Sequence, residues 1–292
     1  MNLVMTVLCR NEEDIIGTHI AYHLHQGVDF VIATDNASED ATPMILEEFR
    51  GQGRLHLIRE PALTHDQAAW VTRMARLAAE EFAADWVIHS DADEFWWPLE
   101  GNLKDALGRV PAEAEGVQVF RHNFLPRPDA ENDAFHRRMT VRQTVSLNSL
   151  GQPLPPKVCH RGSRDVAIAD GNHSVSRNGR EITVGRGGQL EILHFPLRSY
   201  RQFENKIRLG TEALERNPRL TADIGKTWRF LYHEYYRKGL LRDYYKAQVL
   251  SETAVEEGLR KGELVIDTRL RDHLDSILER PPALRSLERS AS

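Results

Sequence analysis

The chain has 292 residues, with 38 Lys and Arg against 43 Asp and Glu, a formal net charge of −5. That balance gives no electrostatic case for gripping a nucleic-acid backbone over a broad surface. A composition of 41% hydrophobic and 28% charged residues excludes intrinsic disorder.

Two cysteines, Cys9 and Cys159, are too few for a disulfide scaffold or a Cys-rich zinc module. The thirteen histidines are scattered and form no HExxH-type pair. No apolar run approaches the roughly 18–20 residues of a membrane span. Met1–Leu8 lacks a basic leader and runs straight into the charged Arg10–Asp14, so the chain is expected in the cytosol.

The first 120 residues alternate between strand and helix signals. Leu3–Leu8 is a continuous apolar run, as for a strand buried on both faces. Asp14–Gln26 places Ile16, Ile20 and Leu24 on one helical face and ends at Gly27. Phe30–Thr34 is a second strand. Thr42 before Pro43 reads as an N-cap with an N1 proline, opening a helix to Arg50. Leu55–Ile58 is a third strand, His65–Ala84 a long Ala-rich helix, Trp86–His89 a fourth strand, Leu103–Val110 a short helix and Gly116–Phe120 a fifth strand. This order predicts an α/β fold with a mainly parallel sheet flanked by helices.

Past Leu125 the pattern loosens. Pro126-Arg127-Pro128 and Gln152–Pro156 read as breaks around a strand in Met139–Leu147. Val158–Ile168, Glu181–Val184 and Leu190–Phe195 have strand character, with a hairpin turn at Asn178-Gly179. Tyr200–Asn217, Trp228–Lys261 and Asp267–Arg280 read as helices, and Pro281–Ser292 as a frayed tail.

Ligands of such sheets bind at the carboxyl ends of the strands. Three of those ends are polar here: Cys9–Glu13, Asp35–Thr42 and Asp91-Ala92-Asp93-Glu94. Two carboxylates one residue apart after a buried strand can reach one hard divalent cation, Mn²⁺ or Mg²⁺, which leaves positions open for phosphate oxygens. Asp-x-Asp is also common in solvated loops. Asp35 can accept from a base or a ribose hydroxyl, or serve an Asx turn, and Glu13 and Asp14 suit a first helical turn. No G-x-G-x-x-G, P-loop or G-x-S-x-G motif is present, so a nucleotide phosphate is left to a cation.

The segments R-N-E-E-D-I-I (Arg10–Ile16), D-N-A-S-E-D-A-T (Asp35–Thr42) and D-W-V-I-H-S-D-A-D-E-F (Asp85–Phe95) together resemble family 2 glycosyltransferases of the GT-A fold, in the subgroup whose metal loop reads D-A-D-E-F. P-P-K (Pro155–Lys157), G-N-H (Gly171–His173) and His194–Lys206 fit the same subgroup. The resemblance covers about residues 1–206, with 1–125 as a nucleotide-sugar half and 126–206 as an acceptor-side half. Residues 207–292 follow as a helical extension. It implies a GT-A-like (Rossmann-like) sheet and an inverting transfer from a nucleotide-diphosphate donor, most often a UDP-sugar, to a glycan or lipid-linked hydroxyl.

On that resemblance Asn11, Glu13, Asp35 and Asn36 face the nucleoside, Asp91 the ribose or a metal-bound water, Asp93 the metal and Lys157 the diphosphate. His173, and after it His194, are candidates for a further metal ligand or a diphosphate contact. Arg161, Arg198 and Lys206 are further basic candidates for the diphosphate. Asn36 and Ala37 depart from the commonest D-D-G-S-x-D motif, which leaves the base contacts open.

A general base is required, and Asp170, Asp129 and Glu94 are the candidates. Asp170 is favoured over Asp129 because a turn at Gly171 is the more rigid mount. Of Trp96 and Trp97, one is expected in the core and one in the cleft. The aromatic and basic stretch Trp228–Lys246 suits an amphipathic helix packed on the core or on another subunit, a helical hairpin closing the acceptor site with its bend at Gly239, or an interfacial helix at the inner face of a membrane. Two other readings of the acidic loop are a nucleotidyltransferase or phosphohydrolase, and a non-catalytic nucleotide-sugar-binding module.

Overall fold

The structure is a computed structural model and describes residues 1–128, 134–186 and 188–278. The chain opens with β1 (Leu3–Cys9), α1 (Ile16–His25), β2 (Phe30–Asp35), α2 (Thr42–Gly51), β3 (Leu55–Arg59), α3 (Gln67–Glu80) and β4 (Trp86–Asp91). A tight reversal leads into β5 (Glu94–Pro98), followed by α4 (Leu103–Gly108), β6 (Gly116–Val119), β7 (Arg121–Asn123), α5 (Phe135–Arg138) and β8 (Val141–Gln143). Then come β9 (Lys157–Arg161), β10 (Val166–Ile168), a 3-10 turn (Asp170–Asn172), β11 (Val175–Arg177), β12 (Arg180–Glu181), β13 (Val184–Arg186) and β14 (Leu190–His194). The helices α6 (Tyr200–Arg216), α7 (Lys226–Leu231), α8 (Leu241–Gln248) and α9 (Glu252–Lys261) follow, and β15 (Leu264–Ile266) and α10 (Arg269–Leu278) end the described chain.

The α/β architecture expected from the sequence is the one observed. The main sheet runs β13-β6-β9-β4-β1-β2-β3, and β1 pairs in parallel with both β2 and β4. Alternation along β1 explains its apolar run. Leu3, Met5, Val7 and Cys9 enter one core layer with α1 and α2, while Val4 enters the opposite layer beneath α3. β9 enters antiparallel between β4 and β6. A second sheet, β5-β14-β7, departs from the turn after β4 and sets His194 opposite Glu94 on one side and Asn123 on the other.

Several boundaries differ from the sequence reading. Thr42 is not the cap of α2. Ala41 is, and the Thr42 hydroxyl instead accepts the Glu12 backbone N–H at 2.8 Å. Val158–Ile168 is divided into β9 and β10. The helical stretch Trp228–Lys261 carries an unpredicted π turn at Tyr232–Tyr236, and it stops at Gly239, with φ 72°, where the sequence offered a bend. The boundary at 206 falls inside α6. Leu270 and Leu274 of α10 belong to the main core, and β15 pairs with β8, so the C-terminal segment is integrated into the first half. The predicted tail Pro281–Ser292 lies outside the described residues.

Histidines line the interior around β4. The His160 Nδ1–H donates to the Arg161 carbonyl at 2.7 Å, which leaves His160 Nε2 as the acceptor from His89 Nε2–H at 3.0 Å. His89 Nδ1 is then the acceptor from the Thr6 hydroxyl at 2.7 Å. Each ring works only when neutral. Burial pushes His160 down to about 4 and His19 down to about 3, and takes His89 and His23 well below their usual value. A base whose folded value is depressed stabilises the fold above its unfolded value and loses that contribution as pH falls from about 6.5. The loss is about 1.4 kcal/mol per pH unit for each histidine. Glu12, pushed up to about 7 by burial, acts in the opposite sense. Melting temperature is therefore expected to drop between pH 6.5 and 4.5, with a shallower drop in His160→Gln. Equal pH slopes for the two proteins would show that this relay is not the cause.

Candidate functional site

The site lies where β1, β2 and β4 end side by side, with Cys9 in register with Asp35 and Leu8 with Asp91. The loops after β1 and β2 are knitted together. The Asn11 N–H donates to Ser38 Oγ at 2.9 Å, and its Oδ1 accepts from the Glu39 N–H at 2.8 Å. Glu13 Oε2 accepts from the Ala41 N–H at 3.0 Å, and Oε1 pairs with Arg201 at 2.6 Å. The Asn36 carboxamide donates to the Glu60 and Ala62 carbonyls. Asp35 is buried, accepts from the Ser38 N–H at 3.3 Å, and faces Arg59 at 3.9 Å.

The D-A-D-E turn carries the densest charge. Asp91 Oδ2 meets Lys157 Nζ at 2.5 Å, and its Oδ1 accepts from the Asn172 carboxamide at 3.3 Å. Lys157 Nζ is also 3.3 Å from Glu94 Oε1, which Arg121 approaches at 3.3 Å. Asp93 points elsewhere. Its Oδ2 meets Lys206 Nζ at 2.5 Å and His194 Nε2 at 3.6 Å. Burial opposes its charge, but the Lys206 ammonium outweighs that and holds the carboxyl well below its usual range. Beneath, Arg198 is buried and ties Glu12 at 2.5 Å to Asp14 at 2.7 Å.

His194 has a defined tautomer. The Asn123 Nδ2 donates to the Leu147 carbonyl at 3.0 Å, so its Oδ1 is the acceptor from the His194 Nδ1–H at 2.7 Å. A neutral His194 thus turns the Nε2 lone pair towards Asp93. Holding one ring N–H in this way is how metal-bound histidines are oriented. Two donors each about 2.1 Å from one ion lie roughly 3.0–3.5 Å apart, close to the observed separation. Asp93 and His194 therefore suit a divalent cation. Among the described residues no group of three His, Cys, Asp or Glu side chains converges as a ready-made cage.

A family model described as glycosyltransferase family 92 matches residues 5–206. The chain belongs to glycosyltransferase family 92. The motif resemblance pointed to family 2. Glycosyltransferase is what the two assignments share, and this protein is an enzyme of that class. Among solved structures, S. aureus TarS 1-349 in complex with UDP-GlcNAc is 14% identical over 90% of this chain and 93% of its own, with a TM-score of 0.44. The same protein in complex with UDP is 15% identical over 82% and 73%, with a TM-score of 0.41. Glucosyl-3-phosphoglycerate synthase from Mycobacterium tuberculosis, in complex with Mn2+, UDP and glucosyl-3-phosphoglycerate, is 16% identical over 55% and 56%, with a TM-score of 0.32. No curated protein matches.

In this family 92 chain two sets of predicted residues are brought together. Asp91, Asp93 and Lys157 come together with Asn172 at the turn. Asn11, Glu13, Asp35 and Asn36 line the adjoining loops, where their polar atoms already bind backbone or neighbours. His173 donates its Nδ1–H to the Pro156 carbonyl at 2.8 Å and stands beside Lys157, whose charge adds to burial in lowering it to about 4. His194 is the histidine that faces Asp93.

Asp170 is part-exposed, accepts from the Ala68 N–H in the first turn of α3 at 3.3 Å, and lies 3.9 Å from His65 Nε2. Glu94 is fully buried between Lys157 and Arg121, which removes it from reach of an acceptor hydroxyl. Asp129 lies outside the described residues. Trp96 is in the core as expected, but Trp97 packs against Tyr22 and His273 with Arg269 over its ring. No helix among the described residues is long and apolar enough to cross a membrane.

Proposed function

We propose that the chain is a metal-dependent, inverting glycosyltransferase that moves a sugar from a nucleoside-diphosphate donor, a UDP-sugar, to a glycan or lipid-linked hydroxyl. The observation that carries this reading is the Asp93–His194 pair, a carboxylate oxygen and an oriented imidazole lone pair at a strand end of the sheet. These two residues would hold Mn²⁺ or Mg²⁺, which when bound neutralises charge developing on the departing diphosphate. Lys206 and Arg198 place positive charge beside the same position. Asp35, Asp91 and Asn172 would receive the ribose hydroxyls. Asp170 takes the proton of the acceptor hydroxyl, whose oxygen attacks the anomeric carbon as the bond to the diphosphate breaks on the opposite face.

The acceptor side is formed with α6–α8, where Arg242 covers Tyr200 at 3.9 Å and Trp228 meets His65. That aromatic and basic surface suits a lipid-linked acceptor at the cytoplasmic face of a membrane. Purified protein is expected to release UDP from at least one UDP-sugar with Mn²⁺ and to lose that release in EDTA, with Asp170→Asn slowed by 10²-fold or more, a size typical of general-base catalysis. UDP release unaffected by EDTA would refute the metal assignment.

A further inference from the structure

We infer that Lys206 is an exchangeable counter-ion of the Asp93–His194 pair: its ammonium neutralises Asp93 when no divalent cation is bound, and turns to the donor diphosphate when one is. This rests on the reading above that Asp93 and His194 hold a cation. The ammonium and the imidazole meet the same oxygen, Asp93 Oδ2, at 2.5 and 3.6 Å. A cation between Asp93 and His194 therefore competes directly with Lys206 for that oxygen, and two like charges at contact repel.

The other basic residues at the turn are fixed. Lys157 is 1% exposed and bridges Asp91 and Glu94, and Arg198 is 1% exposed and bridges Glu12, Asp14 and the Phe195 carbonyl. Lys206 is different. Its side chain is 25% exposed, and Asp93 is its one carboxylate partner within ion-pair distance among the described residues. Its backbone is anchored, because neighbours Phe203 and Ile207 are buried in the α6–α8 cluster, so only the flexible four-carbon stem needs to turn.

Charge count gives the reason to exchange. The ion-pair network sets Glu12, Asp14, Asp91, Asp93 and Glu94 against Lys157, Lys206, Arg121 and Arg198, five carboxylates to four basic groups. The four basic groups are matched within the network, which has no surplus positive charge to hold a diphosphate. Two added positive charges at Asp93, with Lys206 released towards the phosphates, provide it.

The test titrates MnCl₂ into UDP-free protein by calorimetry, then UDP into protein at saturating Mn²⁺. Lys206→Met, which keeps the stem, is expected to bind Mn²⁺ roughly five- to tenfold more tightly, as a part-exposed ion-pair competitor is lost. It should bind UDP roughly tenfold or more weakly, the size of a lost charge-assisted contact. Lys206→Arg, with the charge kept, should show no gain in Mn²⁺ affinity, and an unchanged melting temperature in either variant certifies its fold. Unaltered or weaker Mn²⁺ binding in Lys206→Met, with wild-type binding intact and lost in Asp93→Asn, overturns the exchange alone. A wild-type protein that binds no Mn²⁺ overturns the cation reading and the exchange with it.

Discussion

Asp93→Asn is expected to lower kcat/KM for sugar transfer by at least about 10³-fold, because it removes the anionic ligand from the position where diphosphate charge must be neutralised. Each tenfold is about 1.4 kcal/mol of barrier, and a metal acting as a Lewis acid supplies several kcal/mol. Mn²⁺ binding should vanish with it. Stability should fall by less than the about 3–5 kcal/mol of a wholly buried pair, since Asp93 is buried but the orphaned Lys206 is part-exposed and can turn to solvent.

Asp91→Asn is the informative contrast. Asp91 faces Lys157 and Asn172, so its loss should leave Mn²⁺ affinity within a few-fold of wild type while weakening UDP. Parallel loss of Mn²⁺ in both variants would mean that one ion is gripped by both carboxylates, as the spacing alone suggests, and that the division of labour seen at this turn is not the working one.

That division was not readable from the sequence. Strand identity was, because the apolar runs at Leu3–Leu8, Phe30–Thr34 and Trp86–His89 have one outcome in a sheet covered on both faces. The polar strand ends followed from the same logic. Spacing shows that Asp91 and Asp93 are near each other but not where each side chain points. The turn between β4 and β5 sends Asp91 towards Lys157 of β9 and Asp93 towards Lys206 of α6, pairings that span 66 and 113 residues of chain.

Asn123, which fixes the His194 tautomer, carries no local motif at all. It is found only from the register of β7 on β14. The Thr42 hydroxyl illustrates the same limit at short range. The residue matches an N-cap preference, yet the neighbouring β1 loop offers an unpaired N–H and takes the hydroxyl. The break at Tyr232–Tyr236 escaped the helical pattern because a π turn inserts one residue without a composition signal.

Lys157→Met should be the most damaging single change to stability, costing about 3–5 kcal/mol, the range for breaking a buried pair by removing one partner. Lys157 is almost wholly buried and Glu94 wholly so. The lysine's loss leaves the Asp91 carboxylate with Asn172 and the Glu94 carboxylate with Arg121 and the Asp91 N–H. At roughly 2–4 °C per kcal/mol for a chain of this size class, the melting temperature falls by about 10 °C.

The pH dependence identifies the cause. Burial already raises the Glu94 carboxyl, with Lys157 opposing it, so removing the lysine raises it further. A carboxyl raised in the folded state favours the fold below its unfolded value and loses that contribution as pH rises through its folded value. The deficit of Lys157→Met against wild type should therefore be small near pH 4.5 and grow towards neutrality. Adding Glu94→Gln should recover part of the loss at pH 7 by removing the stranded charge, and should recover little at pH 4.5. A double variant no more stable than Lys157→Met at pH 7 would place the damage in lost packing of the lysine stem, and the charge account of this turn would have to be abandoned.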